Sequence, residues 1–284
     1  MTPLPSSHIR QAQISDYEDL TSFLARTWRI HQHLDWRAPE TWVGSGQCYF
    51  YQRNEVLMAA LAIPLVPGEP AWVRLFACED EISPKQAWIA LFPPLRENLL
   101  SAGHPPMCAV AVRPWSIEFF KGAGFRHHQD IVLFELAQPI PSDESIQELF
   151  ITPMKIEDVK AVAALDQASF EPIWRNNEES VLQALLFSSY ATTARLKGEI
   201  VGFQISTLSD TSAHLARLAV APARQNSGIG AALVRDLAGH FFNQGKTLLT
   251  VNTQSDNHKS QALYERLGFE RTGSTYPVFI MEEY

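Results

Sequence analysis

The chain has 284 residues, of which 46% are hydrophobic and 19% charged, and its formal net charge is −8 at pH 7. This length predicts about two domains, each able to bury a core of its own. The acidic balance argues against a nucleic-acid partner and is compatible with a cationic acceptor such as an amine. No stretch reaches the length of about 18 apolar residues that a membrane span needs.

The start of the chain lacks the apolar segment of a secretory leader, so the sequence predicts a cytoplasmic protein without a membrane partner. Its three cysteines, Cys48, Cys78 and Cys108, form no Cys-x-x-Cys motif and lie in apolar surroundings, which predicts buried, reduced thiols. His31 and His33 lie in an aromatic segment without further ligands at metal-binding spacing, and we expect no metal there.

Similar segments recur along the chain at a nearly constant spacing. The stretches "SIEFFKGAGF" and "SQALYERLGF" both end in Gly-Phe, and Gly124 and Gly268 are 144 residues apart. "VRLFA" from Val73 parallels "ARLAV" from Ala216, and the hairpin-like and N-terminal segments of each half repeat at similar offsets. The sequence therefore predicts two tandem copies of one fold, at 1–140 and 149–284, joined by a proline- and acid-containing linker at 137–148.

Each copy is predicted to run strand, one or two helices, hairpin, central strand, helix, strand, helix and closing strands. This order gives an α/β fold in which a twisted mixed sheet is flanked by helices. In the second copy the predicted elements are 149–153, 156–168, 178–187, 191–196, 200–208, 213–220, 228–243, 247–252, 259–267 and 270 onward.

The stretch "RQNSGIG", from Arg224 to Gly230, joins the central strand of the second copy to a helix. Unpaired N–H groups and the helix dipole favour an anion at such a helix start, and glycine lets the backbone approach it closely. Ala231 follows Gly230 where a Walker loop needs lysine, and Leu233 stands where a dinucleotide fingerprint needs glycine. The stretch therefore predicts a phosphate cradle of another type.

Two blocks of the second copy resemble the GNAT superfamily of acetyl-CoA-dependent N-acetyltransferases. The first block follows the strand residues Leu218, Ala219 and Val220 and consists of Gln225, Asn226, Ser227, Gly228, Ile229 and Gly230. The second block consists of Asn257, Ser260, Leu263, Tyr264, Gly268 and Phe269. The resemblance extends from Ile151 to the end of the chain.

This resemblance implies acetyl-CoA as the co-substrate. Its pyrophosphate would be held by the first block together with Ala231, and its pantetheine arm would lie along Leu218–Val220, with Asn257 and Ser260 nearby. Tyr264 would donate a proton to the departing thiolate, since a phenol with a pKa of about 10 is protonated at neutral pH. Phe170 and Trp174 lie where the family has its substrate-side helix and loop, and are candidate acceptor contacts.

The general base is harder to assign. Ribosomal-protein N-terminal acetyltransferases of this superfamily have a glutamate where this chain has Asn252, which cannot take a proton. Histone-type members have a glutamate at the position of His214, which titrates near about 6.5 in its ordinary state and suits this work. Asp210, Glu178 or a water chain remain alternatives. Alternation along the strand predicts one shared face for His214, Ala216, Leu218 and Val220.

The first copy has the repeated segments but lacks the two motif blocks of the second copy. Its cradle position reads "EDEISPKQAW", which has three acidic residues at its start, a proline and no glycine. Phe120 stands in place of Tyr264, and Arg113 in place of Asn257. We interpret this copy as a degenerate domain that does not bind acetyl-CoA. Arg217 recurs in it as Arg74, which favours a structural role for this arginine.

The sequence thus predicts an N-acetyltransferase acting on a small-molecule amine or a peptide N-terminus. The alternative is an acyl-CoA-binding sensor or interaction module without turnover.

Overall fold

The computed structural model of the chain describes residues 7–33, 37–141 and 146–284. Residues 142–145 of the predicted linker and residues 1–6 at the start lie outside the described residues. The chain forms two compact units: the first comprises the residues up to Gln129 together with Tyr276–Tyr284, and the second comprises Asp130–Thr275.

The helices and strands of both units are numbered along the chain. The α-helices are α1 (Tyr17–Arg26), α2 (Pro84–Ser101), α3 (Pro114–Gly122), α4 (Val159–Ser169), α5 (Glu178–Phe187), α6 (Ile229–Phe242) and α7 (His258–Arg266). The strands are β1 (Ser7–Gln11), β2 (Ile30–Gln32), β3 (Cys48–Arg53), β4 (Val56–Ala62), β5 (Ala71–Trp72), β6 (Leu75–Cys78), β7 (Met107–Val110), β8 (Arg126–Leu136), β9 (Leu149–Pro153), β10 (Tyr190–Leu196), β11 (Glu199–Leu208), β12 (Ser212–Val220), β13 (Leu248–Gln254) and β14 (Glu270–Met281).

In the second unit the strands lie in the order β9-β10-β11-β12-β13-β8. The pairs from β9 to β12 are antiparallel, β12 and β13 are parallel, and β13 is antiparallel to the Ile131–Leu136 part of β8. Helix α6 packs on one face, where Val234, Leu237 and Phe241 are buried in a cluster with strand side chains. This helix approaches the sheet closely at Gly202, where an added Cβ would lie 3.1 Å from the carbonyl oxygen of Ala219.

In the first unit the strands β1-β3-β4-β6-β2 form one sheet. Strand β5 pairs in parallel with β7, and β7 pairs with Val278–Met281 at the end of β14. The core of this unit includes Phe120 and Phe125 from the helix α3 region, and Phe279 from the end of the chain. The last nine residues therefore belong to the first unit, and Phe279 and Met281 are buried in its core.

This division differs from the predicted domains at 1–140 and 149–284. Strand β8 passes from the first unit into the second, and β14 passes from the second into the first. Each unit is thus completed by a strand whose sequence neighbours belong to the other unit. The elements predicted for the second copy agree with the structure to within a few residues at their ends.

The internal repeat is present in the strand register. His214 and Leu215 pair in parallel with Thr250 and Val251 in the second unit. The corresponding pairs in the first unit, 143 residues earlier, are Ala71 with Met107 and Trp72 with Cys108. The same parallel contact is therefore built twice.

Both units also fix the start of their first helix with an aspartate. Asp16 receives a two-pronged contact from Arg10, at 2.6 and 2.8 Å, and accepts a backbone hydrogen bond from Gln13. Asp158, which is 142 residues later, pairs with Arg195 and accepts from the backbone of Lys155. The aspartate belongs to the shared fold, whereas its arginine partner comes from β1 in the first unit and from β10 in the second.

The three cysteines are buried and unpaired, as the sequence predicts. Burial raises the pKa of Cys48 and Cys108 to about 12, and that of Cys78 to about 11. These thiols are therefore protonated core residues at neutral pH.

We predict that Phe279→Ala destabilises the first unit, because Phe279 is fully buried and lies 6.0 Å from the Phe120 ring. A buried Phe→Ala change costs about 3–5 kcal/mol. Six of the seven tryptophans precede residue 130 in the sequence, so urea unfolding followed by tryptophan fluorescence reports mainly on this unit. Arg271→Ala, an exposed change in the same strand, is the control. Equal unfolding midpoints for the two variants would show that the chain end is dispensable to the first core.

Candidate functional site

The two central strands of the second unit separate partway along their length. The parallel pairing of β12 with β13 ends at Leu215 and Val251. Beyond this point, β12 continues to Val220 and pairs only with β11 on its other side. Residues 216–220, including the predicted contacts Leu218, Ala219 and Val220, therefore present one open strand edge. Such an edge offers backbone hydrogen-bonding groups to an extended ligand.

A β-bulge lies where the strands separate. Leu215 pairs with Ser206 and Arg217 with Ile205, so Ala216 is an extra residue on β12. A bulge of one residue reverses the alternation of side chains beyond it. Leu218 packs with the cluster under α6, whereas Arg217 contacts Asp166 of α4.

The predicted shared face of His214, Ala216, Leu218 and Val220 is therefore wrong. His214 precedes the bulge and lies on the face of Arg217, opposite Leu218 and Val220. The prediction failed because strict alternation assumes that no residue is inserted in the strand.

The N-terminus of α6 lies next to the end of β12. Gly228 is its N-cap, with φ of +85° and no side-chain cap. The first backbone N–H groups of the helix, at Ile229, Gly230 and Ala231, lack intrahelical acceptors by helix geometry. The first helical bond runs from the N–H of Ala232 to the carbonyl of Gly228. This end is therefore suited to a phosphate group.

The loop before α6 is held by its own side chains. Ser227 Oγ donates to the carbonyl of Arg224 at 2.6 Å, and Gln225 Nε2 donates to the carbonyl of Val220 at 3.3 Å. Asn226 has a φ of +63°, and residues 224–228 are exposed. No acidic side chain occurs in this loop, so it carries no charge that would repel a phosphate.

Helix α7 closes the other side of the same region. An added Cβ at Gly230 would lie 3.3 Å from Leu263 of α7 and 3.7 Å from Val220 of β12. Asn257 caps α7, with its Oδ1 accepting from the backbone N–H of Ser260 at 3.1 Å. Asn257 and Ser260, predicted to contact the cofactor, thus hold the start of the helix that carries Tyr264.

Tyr264 is buried between aromatic rings, with the centroids of Phe269 and Phe134 at 5.6 and 6.0 Å. Burial raises the pKa of its phenol above the ordinary value. Within the described residues, its hydroxyl makes no hydrogen bond. The phenol is thus protonated at neutral pH and keeps its proton available.

His214 lies in a chain of hydrogen bonds. Thr250 Oγ1 donates to the carbonyl of Ala213 at 3.3 Å and lies 2.8 Å from His214 Nδ1, so it accepts the Nδ1 proton. Asn252 Nδ2 lies 3.5 Å from the other ring nitrogen, Nε2. Burial lowers the pKa of His214 to about 4.

The expected titration of His214 near neutral pH is therefore not found, because its surroundings disfavour the charged ring. The neutral ring joins the side chains of β12 and β13, and its weak basicity makes it a poor proton acceptor.

Phe170 and Trp174 lie in the segment between α4 and α5, both partly exposed. The guanidinium of Arg217 lies 3.7 Å from the centre of the Phe170 ring and donates to the carbonyl of Trp174. Arg217 also pairs with Asp166, which is fully buried. The two predicted acceptor contacts are thus fixed to β12 through one arginine.

The first unit closes the same region with its own chain. Strand β2 pairs antiparallel with β6, with His31 opposite Phe76, along the edge that is open in the second unit. His31 is fully buried, and burial lowers its pKa to about 4. Ser83 caps α2 by accepting from the N–H of Gln86 at 3.2 Å. The open edge and the uncapped helix are therefore both absent from the described part of this unit.

Sequence reasoning missed β2, the Ala216 bulge and Asp166. A signal for Asp166 was present, since it follows Val159, Val162 and Ala163 at the spacing of a core-facing helical stripe. A charged residue at such a position indicates a buried partner. No comparable local signal marks β2, whose pairing is set by residues far along the chain.

The described residues form neither a metal-binding cluster nor a membrane-spanning helix. Within residues 7–33, 37–141 and 146–284, no three or more His, Cys, Asp or Glu side chains are grouped to hold a metal ion. Across the described part of the chain, no helix combines the length and apolar character that crossing a bilayer requires.

A mixed sheet whose central strands separate beside a glycine-capped helix fits the acetyltransferase class that the sequence motifs indicate. Residues 159–269 match the sequence model of the Acetyltransferase (GNAT) family, in agreement with the resemblance of the second copy. The predicted family is thus confirmed.

The chain is similar to ribosomal protein bS18-alanine N-acetyltransferase of Escherichia coli (strain K12), with 26% identity over 119 residues, 42% of this chain and 79% of that protein. A tandem GNAT protein from the clavulanic acid biosynthesis pathway has 15% identity and a TM-score of 0.68 over 98% of both chains. A GCN5-related N-acetyltransferase from Sphaerobacter thermophilus has 14% identity and a TM-score of 0.66, covering 97% of this chain and 95% of that one. These two likenesses show the fold, and they confirm the predicted mixed α/β fold class.

We predict that Gly228→Glu abolishes CoA binding, measured by titration calorimetry. The side chain would place a negative charge at the helix start, where an added Cβ already lies 3.3 Å from Ile146. Gly245→Glu is the matched control, because Gly245 has a similar φ of +80° with open space around it. We expect one site per chain in the unmodified protein and in the control. Retained affinity in Gly228→Glu, or two equivalent sites per chain, would contradict this assignment of the cradle.

A second prediction concerns pH and His214. A histidine whose pKa is lowered by folding stabilises the protein fully above its ordinary pKa of 6.5, and this stabilisation is lost as the pH falls toward about 4. Between pH 6.5 and 5, unfolding free energy should fall by up to about 2 kcal/mol more in the unmodified protein than in His214→Gln. Urea unfolding followed by circular dichroism at both pH values measures this. An identical pH dependence would place the ring in a solvent-like environment.

Proposed function

We propose that this chain transfers an acetyl group from acetyl-CoA to a primary amine of a small molecule or of a peptide N-terminus. The observation that carries the proposal is the open edge of β12 beside the glycine-capped start of α6. Either feature alone occurs in many proteins. Together they offer an extended backbone edge and an anion site side by side, which suits a ligand with a peptide-like arm and a pyrophosphate.

The residues present fit acetyl-CoA. The backbone of residues 225–231 would hold the pyrophosphate, and residues 218–220 would hydrogen-bond the pantetheine arm. The bound co-substrate would supply the acetyl thioester. Backbone N–H groups at the open edge would stabilise the charge that develops on its carbonyl oxygen, a contribution of about 3–4 kcal/mol for one such donor in other enzymes.

Tyr264 would provide the proton that the leaving thiolate needs. Its phenol stays protonated because burial raises its pKa, and its hydroxyl has no hydrogen-bond acceptor among the described residues. The thiolate would be a strong proton acceptor once the carbon–sulfur bond breaks. Tyr264 thus holds a proton that it can donate only when a suitable base appears.

The amine must lose its proton before it attacks. His214, with its pKa lowered to about 4, would take that proton poorly, and its Nε2 faces the Asn252 amide. His214 is therefore not the general base in this proposal, and bulk water would receive the proton. An α-amino group, with a pKa of about 8, is far easier to deprotonate than an alkylamine of about 10.4. This difference favours a peptide N-terminus or another weakly basic amine, as with the alanine acceptor in the relative's name.

The alternative is an acyl-CoA sensor without turnover. The weakly basic His214 and the uncharged Asn252 favour it, since no base is provided at either position. Tyr264 favours the enzyme, because a sensor has no use for a proton donor at this place. The three buried thiols suit the reducing cytoplasm in which we expect either protein to work.

Thiol release from acetyl-CoA in the presence of an amine panel tests the proposal. We expect release with amines of pKa near 8, such as short peptides with a free N-terminus, and slower release with alkylamines. We also predict that Tyr264→Phe lowers kcat by about 100-fold or more, with little change in the KM for acetyl-CoA. The first unit has Phe120 at the corresponding position, fully buried, so this fold accepts phenylalanine there.

The outcomes separate the two functions. CoA binding without thiol release for any amine would establish the sensor and reject the enzyme. An unchanged kcat in Tyr264→Phe, with chemistry shown to be rate-limiting by single-turnover measurements, would reduce Tyr264 to a packing residue.

A further inference from the structure

A buried ion pair joins α4 to β12 in the second unit. Arg217 Nε and Nη2 donate to the two carboxylate oxygens of Asp166, each at 2.7 Å. Asp166 is fully buried and the Arg217 side chain is 11% exposed. Desolvating two charges costs several kcal/mol, and replacing such a pair by apolar residues is often neutral or stabilising. Stability alone therefore does not account for this pair.

The pair is the centre of a set of contacts with residues 170–176. Asp166 Oδ1 also accepts from the backbone N–H of Asn176 at 2.8 Å. Arg217 also donates to the carbonyl of Trp174, and its guanidinium covers one face of Phe170. The start, the middle and the end of this segment are thus all attached to one ion pair.

The segment has little regular structure of its own beyond the short 3-10 turn Pro172–Trp174. Arg175 Nε donates to the carbonyl of Phe170 within the segment, and Gln167 Nε2 of α4 donates to the carbonyl of Asn176, each at 2.9 Å. Arg217 is the β12 side chain that hydrogen-bonds both α4, at Asp166, and this segment, at Trp174.

The place where the pair meets β12 is next to the reaction region. Arg217 directly follows the bulge at Ala216 and directly precedes Leu218 on the open edge. A shift of Arg217 would move both the backbone of this edge and residues 170–176. The Arg217 side chain thus links the open edge of β12 to residues 170–176.

The first unit provides an internal comparison. Its counterpart of Arg217 is Arg74, and the counterpart of Asp166 is Leu24, a buried residue of α1. The first unit, in which β2 covers the strand edge, therefore has the same fold without this carboxylate. The aspartate occurs in the unit that has the open edge and the glycine cap.

We propose that Asp166, acting through Arg217, is a positioning residue that fixes residues 170–176 as the acceptor-side wall of the transfer site. This inference rests on the proposed function, because it assigns a wall to the acceptor of that reaction. The wall presents the partly exposed side chains of Phe170 and Trp174, and its distance from the open edge sets how the amine approaches.

The test compares Asp166→Asn with the double variant Asp166→Leu/Arg217→Met. Asp166→Asn leaves a buried guanidinium without its counter-charge, whereas the double variant removes both charges and imitates the leucine of the first unit. In both we expect kcat/KM for the best peptide acceptor to fall by about 100-fold, and the Kd for CoA to change less than about twofold. The double variant should unfold at a temperature close to that of the unmodified protein.

Asp158→Asn is the matched control. It removes the Asp158–Arg195 pair at the N-terminus of α4, which does not contact residues 170–176 and whose aspartate recurs in the first unit as Asp16. We expect a lower unfolding temperature and unchanged acceptor kinetics. A purely structural role for Asp166 would give the same pattern in Asp166→Asn.

Hydrogen exchange of the CoA-bound protein provides a readout that needs no turnover. The backbone N–H of Asn176 should exchange at least about tenfold faster in the double variant than in the unmodified protein. Unchanged exchange, or acceptor kinetics that survive in the double variant, overturns the positioning role. Absence of thiol release from the unmodified protein overturns the proposed function instead. In that case the exchange rate of the Asn176 N–H alone tests whether Asp166 and Arg217 hold residues 170–176 in place.

Discussion

The separation of β12 from β13 after Leu215 and Val251 is the constraint on which the rest of the site depends. Parallel strands normally satisfy each other's backbone groups along their whole length, so a strand that leaves its partner must be held by other means. Here β11 holds it on one side, α6 packs beneath it, and Arg217 fixes it on the opposite face. A ligand that completes the open edge gains hydrogen bonds without first breaking any within the sheet.

The two units have the same fold but differ at one strand edge and one helix start. Both have the same parallel register and the same aspartate at the start of their first helix. The first unit covers its strand edge with β2 and caps its helix with Ser83, so its backbone groups are satisfied internally. The second leaves these groups to a ligand. Burial of apolar side chains stabilises both units, whereas unsatisfied polar groups at the open edge of the second unit reduce its stability locally.

The parts of the structure that local signals determine could be predicted from the sequence. The glycine turns at Gly124 and Gly268, the helix start at Gly228 and the hairpin of β10 and β11 all follow from residues within a few positions. The parts set by distant pairing could not. One inserted residue at Ala216 inverted the face of His214, and no periodicity predicts which strand β14 joins. The internal repeat predicted two copies of one fold. It could not predict that β8 and β14 each pass from one unit into the other.

The environment of His214 links the fold to the choice of acceptor. A charged imidazole at this point would need solvation or a carboxylate partner, and its nearest partners are the Thr250 hydroxyl and the Asn252 amide, which provide neither. The ring is therefore most stable in its neutral form. It connects β12 to β13 one residue before their pairing ends. A stronger base at this position would require a counter-charge, which neither Thr250 nor Asn252 carries. The arrangement therefore keeps the ring neutral, and under the proposed function it favours an acceptor whose amine is weakly basic.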